Sequence, residues 1–102
     1  MRAFDVYNAT IEWGGCIDMR PWIIVEMRSN GFVGCVPVSS ECYDGGCFEI
    51  SASHPDFQAT GLAKSCYVHD FHVFNGSIGI FRKHRGELTN DLLVEFREAT
   101  GF

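Results

Sequence analysis

No stretch of this sequence reaches the ~18 consecutive apolar residues that a membrane-spanning helix needs. The opening residues, MRAFDVYNATIEW, lack the apolar block of a secretion signal and carry charges among their apolar positions. The expected location is therefore cytoplasmic, with no membrane partner. An excess of positive charge is missing as well. Lys and Arg total 8 against 13 Asp and Glu, a formal net charge of −5. That argues against a general nucleic-acid binder, because such proteins bind largely by neutralising phosphates. A local basic patch is not excluded. Arg82, Lys83 and Arg85 gather three of the eight cations into one segment, expected to be a solvated turn. An even number of cysteines is lacking too. Cys16, Cys35, Cys42, Cys47 and Cys66 do not form the paired framework of a small secreted domain. Cys42 and Cys47 are the one close pair, flanking Tyr43-Asp44-Gly45-Gly46. A disulfide or half of a zinc site there is an alternative, but no second ligand pair follows and free thiols are the expected state. Internal repeats and low-complexity segments are absent.

What is present is ordinary globular material. A chain of 102 residues suffices for one domain around one core, and 46% apolar with 21% charged residues excludes a disordered chain. The first half reads as strands. Phe4 to Trp13 alternates apolar and polar with one slip at Tyr7-Asn8, the signature of a bulge. Trp22-Ile23-Ile24-Val25 is a β-branched and aromatic run suited to a strand buried on both faces. Asn30-Gly31 predicts a type I′ turn and a return strand from Phe32 to Val38, with Pro37 placing that strand's end at an edge. Residues 41 to 64 read as irregular, with a short strand near Cys47 to Ile50. Further strands are expected at Ser65 to Asp70 and Ser77 to Phe81, separated by a break at Asn75-Gly76. The end of the chain changes period. Leu88, Leu92 and Phe96 recur at helical spacing, Thr89 stands at the N-cap and Gly101 at the C-terminal stop. The expected fold is mainly β (α+β). It is a single domain over residues 1–102, a small SH3-like barrel of five to seven short strands with a C-terminal helix as a lid.

Several of these features occur in a telling order. Arg20-Pro21 leads into the apolar strand, Pro37-Val38-Ser39-Ser40 ends the next one, and Gly61-Leu62 precedes Ser65-Cys66-Tyr67-Val68-His69-Asp70. Gly86-Glu87-Leu88 then opens the last helix. This ordered set resembles the MazF/PemK toxins of type II toxin–antitoxin systems, over nearly the whole chain. The resemblance implies a bacterial homodimer that cuts single-stranded RNA without a metal or cofactor, covered by an acidic antitoxin. It also implies candidate residues. Arg20 stands at the position of the arginine at the scissile phosphate, and Ser39 at that of a hydroxyl beside it. Ser40 is next to it, and Asp70 stands at an acidic position that serves some members as proton acceptor. Outside the resemblance, each has a plainer reading: a solvated arginine at a strand's start, serines and an aspartate in turns.

The chemistry suits these residue types. Cleavage through the RNA's own 2′-hydroxyl needs its proton removed, the phosphorane stabilised and the leaving 5′-oxygen protonated. An arginine's planar fork donates in parallel to two phosphate oxygens. Two departures stand out. Where some members carry a cation two residues before the acid, this chain has Val68, so the cationic general acid is missing and His69 and His72 become its candidate substitutes as well as RNA-binding candidates. Of these, His72 shares the strand face of Asp70 and His69 does not. The loop Gly14 to Met19 offers one acid and no base. These departures motivate a second reading, a barrel that no longer cuts and instead grips a protein partner, as the related gyrase poison CcdB does.

Overall fold

The computed structural model describes all residues except 13, 14, 16, 43, 44 and 69–71. Its centre is the β-branched run, which lies in the middle of β2 (Met19–Met27), where Trp22, Ile23 and Ile24 are all fully buried. A strand buried on both faces needs a layer on each side, and both are present. β1 (Asp5–Thr10) and β3 (Phe32–Pro37) flank it, and β6 (Phe74–Ser77) and β7 (Phe81–Glu87) close the sheet in the order β6-β3-β2-β1-β7, all antiparallel. β4 (Phe48–Ile50) and β5 (Cys66–Val68) form a second, two-stranded sheet. One face of the main sheet, with Val6, Ile23, Val36 and Val38, packs against β4, β5 and α1 (Asn90–Thr100) through Ile50, Val68, Leu92 and Phe96. The other face holds a smaller cluster around Ala9, Trp22, Ile24, Cys35 and Phe81. The chain is mostly β with one C-terminal helix, as its patterning predicts.

The β2–β3 hairpin turns as its sequence dictates. Asn30 and Gly31 take φ of 63° and 78°, the positive pair that a type I′ turn requires. The bulge expected at Tyr7-Asn8 has its counterpart in two register shifts where β1 meets β7, between Val6 and Tyr7 and between Asn8 and Ala9. Pro37 pairs with Trp22 on one side, while β6 reaches only to Cys35 on the other, so the proline lies beyond that ladder.

Five expectations are corrected. Asn75-Gly76 does not break a strand but runs through β6. Gly76 is buried there, and the Phe81 ring approaches so closely that a Cβ would stand 3.0 Å from it. The segment Ile78–Ile80 is a short 3-10 turn, and the basic run follows it as part of β7, not as a turn. Arg82, Lys83 and His84 are exposed on an edge strand, where charge discourages further strand addition. Thr89 has cap geometry but makes no side-chain cap bond. Asp56 does that work instead, its Oδ2 accepting from the Leu92 N–H at 3.2 Å. Finally, Cys42 and Cys47 form a disulfide rather than standing as free thiols. Their Cα atoms are 6.0 Å apart, within bridging range, with Gly45 at φ 76° in the turn between them. Cys35 and Cys66 are free and buried. Among the described residues no helix is long and apolar enough to cross a membrane.

Candidate functional site

At the end of the hairpin opposite its turn, β2 begins and β3 finishes. The ladder continues one step past Trp22 and Pro37, with the Val38 N–H donating to the Pro21 carbonyl at 3.1 Å, which carries Arg20 to the level of Ser39. Ser39 is then pinned to β5. Its N–H donates to the Tyr67 carbonyl at 2.8 Å and its carbonyl accepts from the Tyr67 N–H at 2.7 Å. The Ser39 hydroxyl oxygen accepts from the Glu41 N–H at 3.2 Å, which leaves its own O–H to donate elsewhere.

A third wall comes from residues 61–64, and two glycines set it in place. A Cβ on Gly61 would stand 1.9 Å from the Arg85 carbonyl oxygen, and one on Gly86 would stand 2.0 Å from the Ala59 carbonyl oxygen. Gly61 also needs its φ of 70°. The buried Thr60 hydroxyl donates to the Phe57 carbonyl at 2.6 Å and accepts from the Leu62 N–H at 3.2 Å, so the turn leading into this wall is tied internally. The Arg85 guanidinium spans the junction. Nε and Nη2 donate to the Gly61 carbonyl at 3.2 and 2.8 Å, and Nη1 donates to Asn8 Oδ1 at 3.1 Å. Those acceptors are neutral and leave its charge uncancelled.

These walls enclose a pocket of about 360 Å³ lined by Arg20, Ser39, Ser40, Lys64, Cys66 and Arg85, together with Met19, Pro21, Val38, Leu62 and Ala63. Three of the chain's eight cations therefore line it, and none of the described lining residues is a carboxylate. Burial pushes the Cys66 thiol's pKa up, while the charges of Lys64 and Arg85 pull it partly back. The thiol donates to the Lys64 carbonyl at 3.1 Å.

The sequence candidates divide accordingly. Arg20, Ser39 and Ser40 meet in this one pocket. His72 does not line it. Exposed at the foot of β6, its ring stands edge-on to Phe74 at 5.2 Å. Asp70 and His69 lie outside the described residues. Val68, at the position where some MazF/PemK members carry a cation, is fully buried in the larger core. Lys64 and Arg85 escaped the sequence reading. Arg85 was counted within a basic run, and its neighbour Gly86, like Gly61, was the local signal of a close approach between two segments.

No protein-family model and no curated protein matches the sequence. Solved structures do match. One is an endoribonuclease in complex with its cognate antitoxin from a mycobacterial species, with a TM-score of 0.65 and 19% identity over 94% of this chain and 84% of that one. Another is the Mycobacterium tuberculosis toxin MazF-mt6, with a TM-score of 0.71 and 15% identity over 95% of this chain and 92% of that one. The chain has a MazF-like fold. In that fold the pocket sits where the sequence motifs converge: Arg20-Pro21 at the start of β2, Val38-Ser39-Ser40 after β3, and Gly61-Leu62 before β5.

Proposed function

We propose that this protein is an endoribonuclease toxin. It cuts single-stranded RNA at a short recognition sequence, without a metal, by attack of a 2′-hydroxyl on the adjacent phosphate. The observation that supports this most is the pocket itself: a MazF-like fold brings Arg20, Lys64 and Arg85 around two serines with no described carboxylate among them. A phosphodiester matches such a site in charge and in its need for several donors. Arg20 grips two non-bridging oxygens, Ser39 donates to the same phosphate, and Ser40 to that phosphate or its neighbour. Arg85, fixed by Gly61 and Asn8, adds a stationary charge. Asp70 takes the 2′-hydroxyl proton, and His69 and His72 contact the flanking RNA. The protein works as a homodimer, and its partner is an antitoxin whose acidic segment covers these cations. The structurally similar endoribonuclease in complex with its cognate antitoxin supports that partner.

The test is incubation of the purified protein with long single-stranded RNA in EDTA, followed by end analysis. The expected products carry 2′,3′-cyclic phosphate and 5′-hydroxyl ends at a recurring short sequence. Intact RNA from a wide sequence pool would end this reading. It would leave the second one, a barrel that binds a protein partner without cutting, which the burial of Val68 favours.

A further inference from the structure

With Val68 in the core, the group that protonates the leaving 5′-oxygen must come from elsewhere. Resting on the nuclease reading, we infer that Lys64 is that general acid, a catalytic residue of the same pocket.

The pocket leaves few donors. Arg20 and Arg85 line it, but a guanidinium does not give up its proton in a protein and serves as a fixed charge. The Ser39 and Ser40 hydroxyls are far weaker acids than an ammonium, and Ser39 is buried with its oxygen already engaged by the Glu41 N–H. The Cys66 thiol is buried and directs its hydrogen to the Lys64 carbonyl. Lys64 alone among the described lining groups is both exposed and able to act as a proton donor. Its segment is not a loose one. The Gly61–Arg85 and Gly86–Ala59 approaches, with the Arg85 bonds to Gly61, fix the backbone three residues before it.

The step balances as follows. The 2′-oxygen bonds to phosphorus as its proton passes to the Asp70 carboxylate. The bond from phosphorus to the 5′-oxygen breaks, its electron pair stays on that oxygen, and Lys64 Nζ supplies the proton. The carboxyl then releases its proton to solvent, and solvent returns one to Lys64. Arg20 and Arg85 hold the charge of the phosphorane throughout.

A leaving-group substitution tests this. Single-stranded RNA that the wild-type protein cuts is compared with the same RNA carrying sulfur in place of the scissile 5′-oxygen, since a thiolate departs without protonation. Lys64→Met should cut ordinary RNA about 10²–10⁴-fold more slowly, the usual worth of one proton transfer. Lys64→Arg, which keeps the charge but not the acid, should lose nearly as much. On the sulfur substrate both variants should return to within about tenfold of wild type. Equal losses on the two substrates would make Lys64 a binding residue and overturn the assignment. Wild-type rates for Lys64→Met on ordinary RNA would do the same. A wild-type protein that cuts neither substrate would remove the nuclease reading, and Lys64 with it. Unchanged thermal unfolding of the variants, expected for an exposed side chain, separates these outcomes from misfolding.

Discussion

Two arginines mark the two ends of one hairpin. Arg28 follows the last residue of β2 near the Asn30-Gly31 turn, and Arg20 stands at the strand's start. Arg28 donates to Asn75 Oδ1 at 2.8 Å and to Glu26 Oε2 at 3.3 Å, so its charge is answered by a carboxylate on the surface. Arg20 opens into a pocket with Lys64 and Arg85 and no described carboxylate. Cations gathered along one pocket attract an anion that can bridge them. The same residue type is thus an ion-paired surface group at one end and a pocket-lining group at the other, where the proposed function has it bind phosphate. The neighbours decide which.

Substitutions can break that comparison. Arg20→Ala should lower RNA cleavage by ~10²–10³-fold or more, the worth of one donor at a developing oxyanion. Arg28→Ala should leave the rate within about twofold and cost under about 1 kcal/mol of stability, because its ion pair is exposed. Gly86→Ala attacks the wall of the pocket instead. With a Cβ 2.0 Å from the Ala59 carbonyl oxygen, something must shift. Thermal unfolding should show a loss of roughly 2–3 kcal/mol, or about 10–20 °C in Tm. Ser39→Ala removes one hydrogen bond to a charged group, so cleavage should fall by roughly 10–100-fold, with a Tm near that of wild type.

The smallest effect concerns the thiol nearer Arg28. Burial pushes the Cys35 thiol up to about 12 from 9.0, with Arg28 offsetting part of the rise. The folded chain therefore keeps this proton while the unfolded chain loses it, and stability should fall as pH rises from 9 towards 12. Between pH 8 and 10 the loss from Cys35 should be roughly 1 kcal/mol by denaturant titration, and Cys35→Ala should remove that share of the slope and leave the share of the buried Cys66.

Much of the fold was legible because local chemistry and tertiary placement agree. Asn30-Gly31 can hardly be anything but a tight hairpin turn, and Trp22-Ile23-Ile24 suits only a strand with a layer on each face. The misreadings fall where contacts distant in sequence override local signals. Gly76 reads as a break but serves the approach of Phe81, and Asp56 supplies the helix cap that Thr89 seemed placed to make. The site was half legible. Arg20 and the Ser39-Ser40 pair lie at the start of one strand and just past the end of the other, both at the hairpin's open end, so antiparallel pairing alone predicts their meeting. Lys64 and Arg85 join them through the Gly61–Arg85 and Gly86–Ala59 approaches, across a separation that no periodicity reports.

The central claim is that the Arg20 end of the hairpin holds RNA phosphate and the Arg28 end does not. Binding of an uncleavable 2′-deoxy oligonucleotide across a range of salt tests it most directly. Each phosphate contact with a single strand contributes a slope of about −0.7 to the logarithm of affinity against that of salt. Arg20→Ala should weaken binding and make the slope shallower by about 0.7, while Arg28→Ala should reproduce the wild-type line. Equal slopes for wild type and Arg20→Ala, or an Arg28→Ala slope that falls as far, would contradict the account.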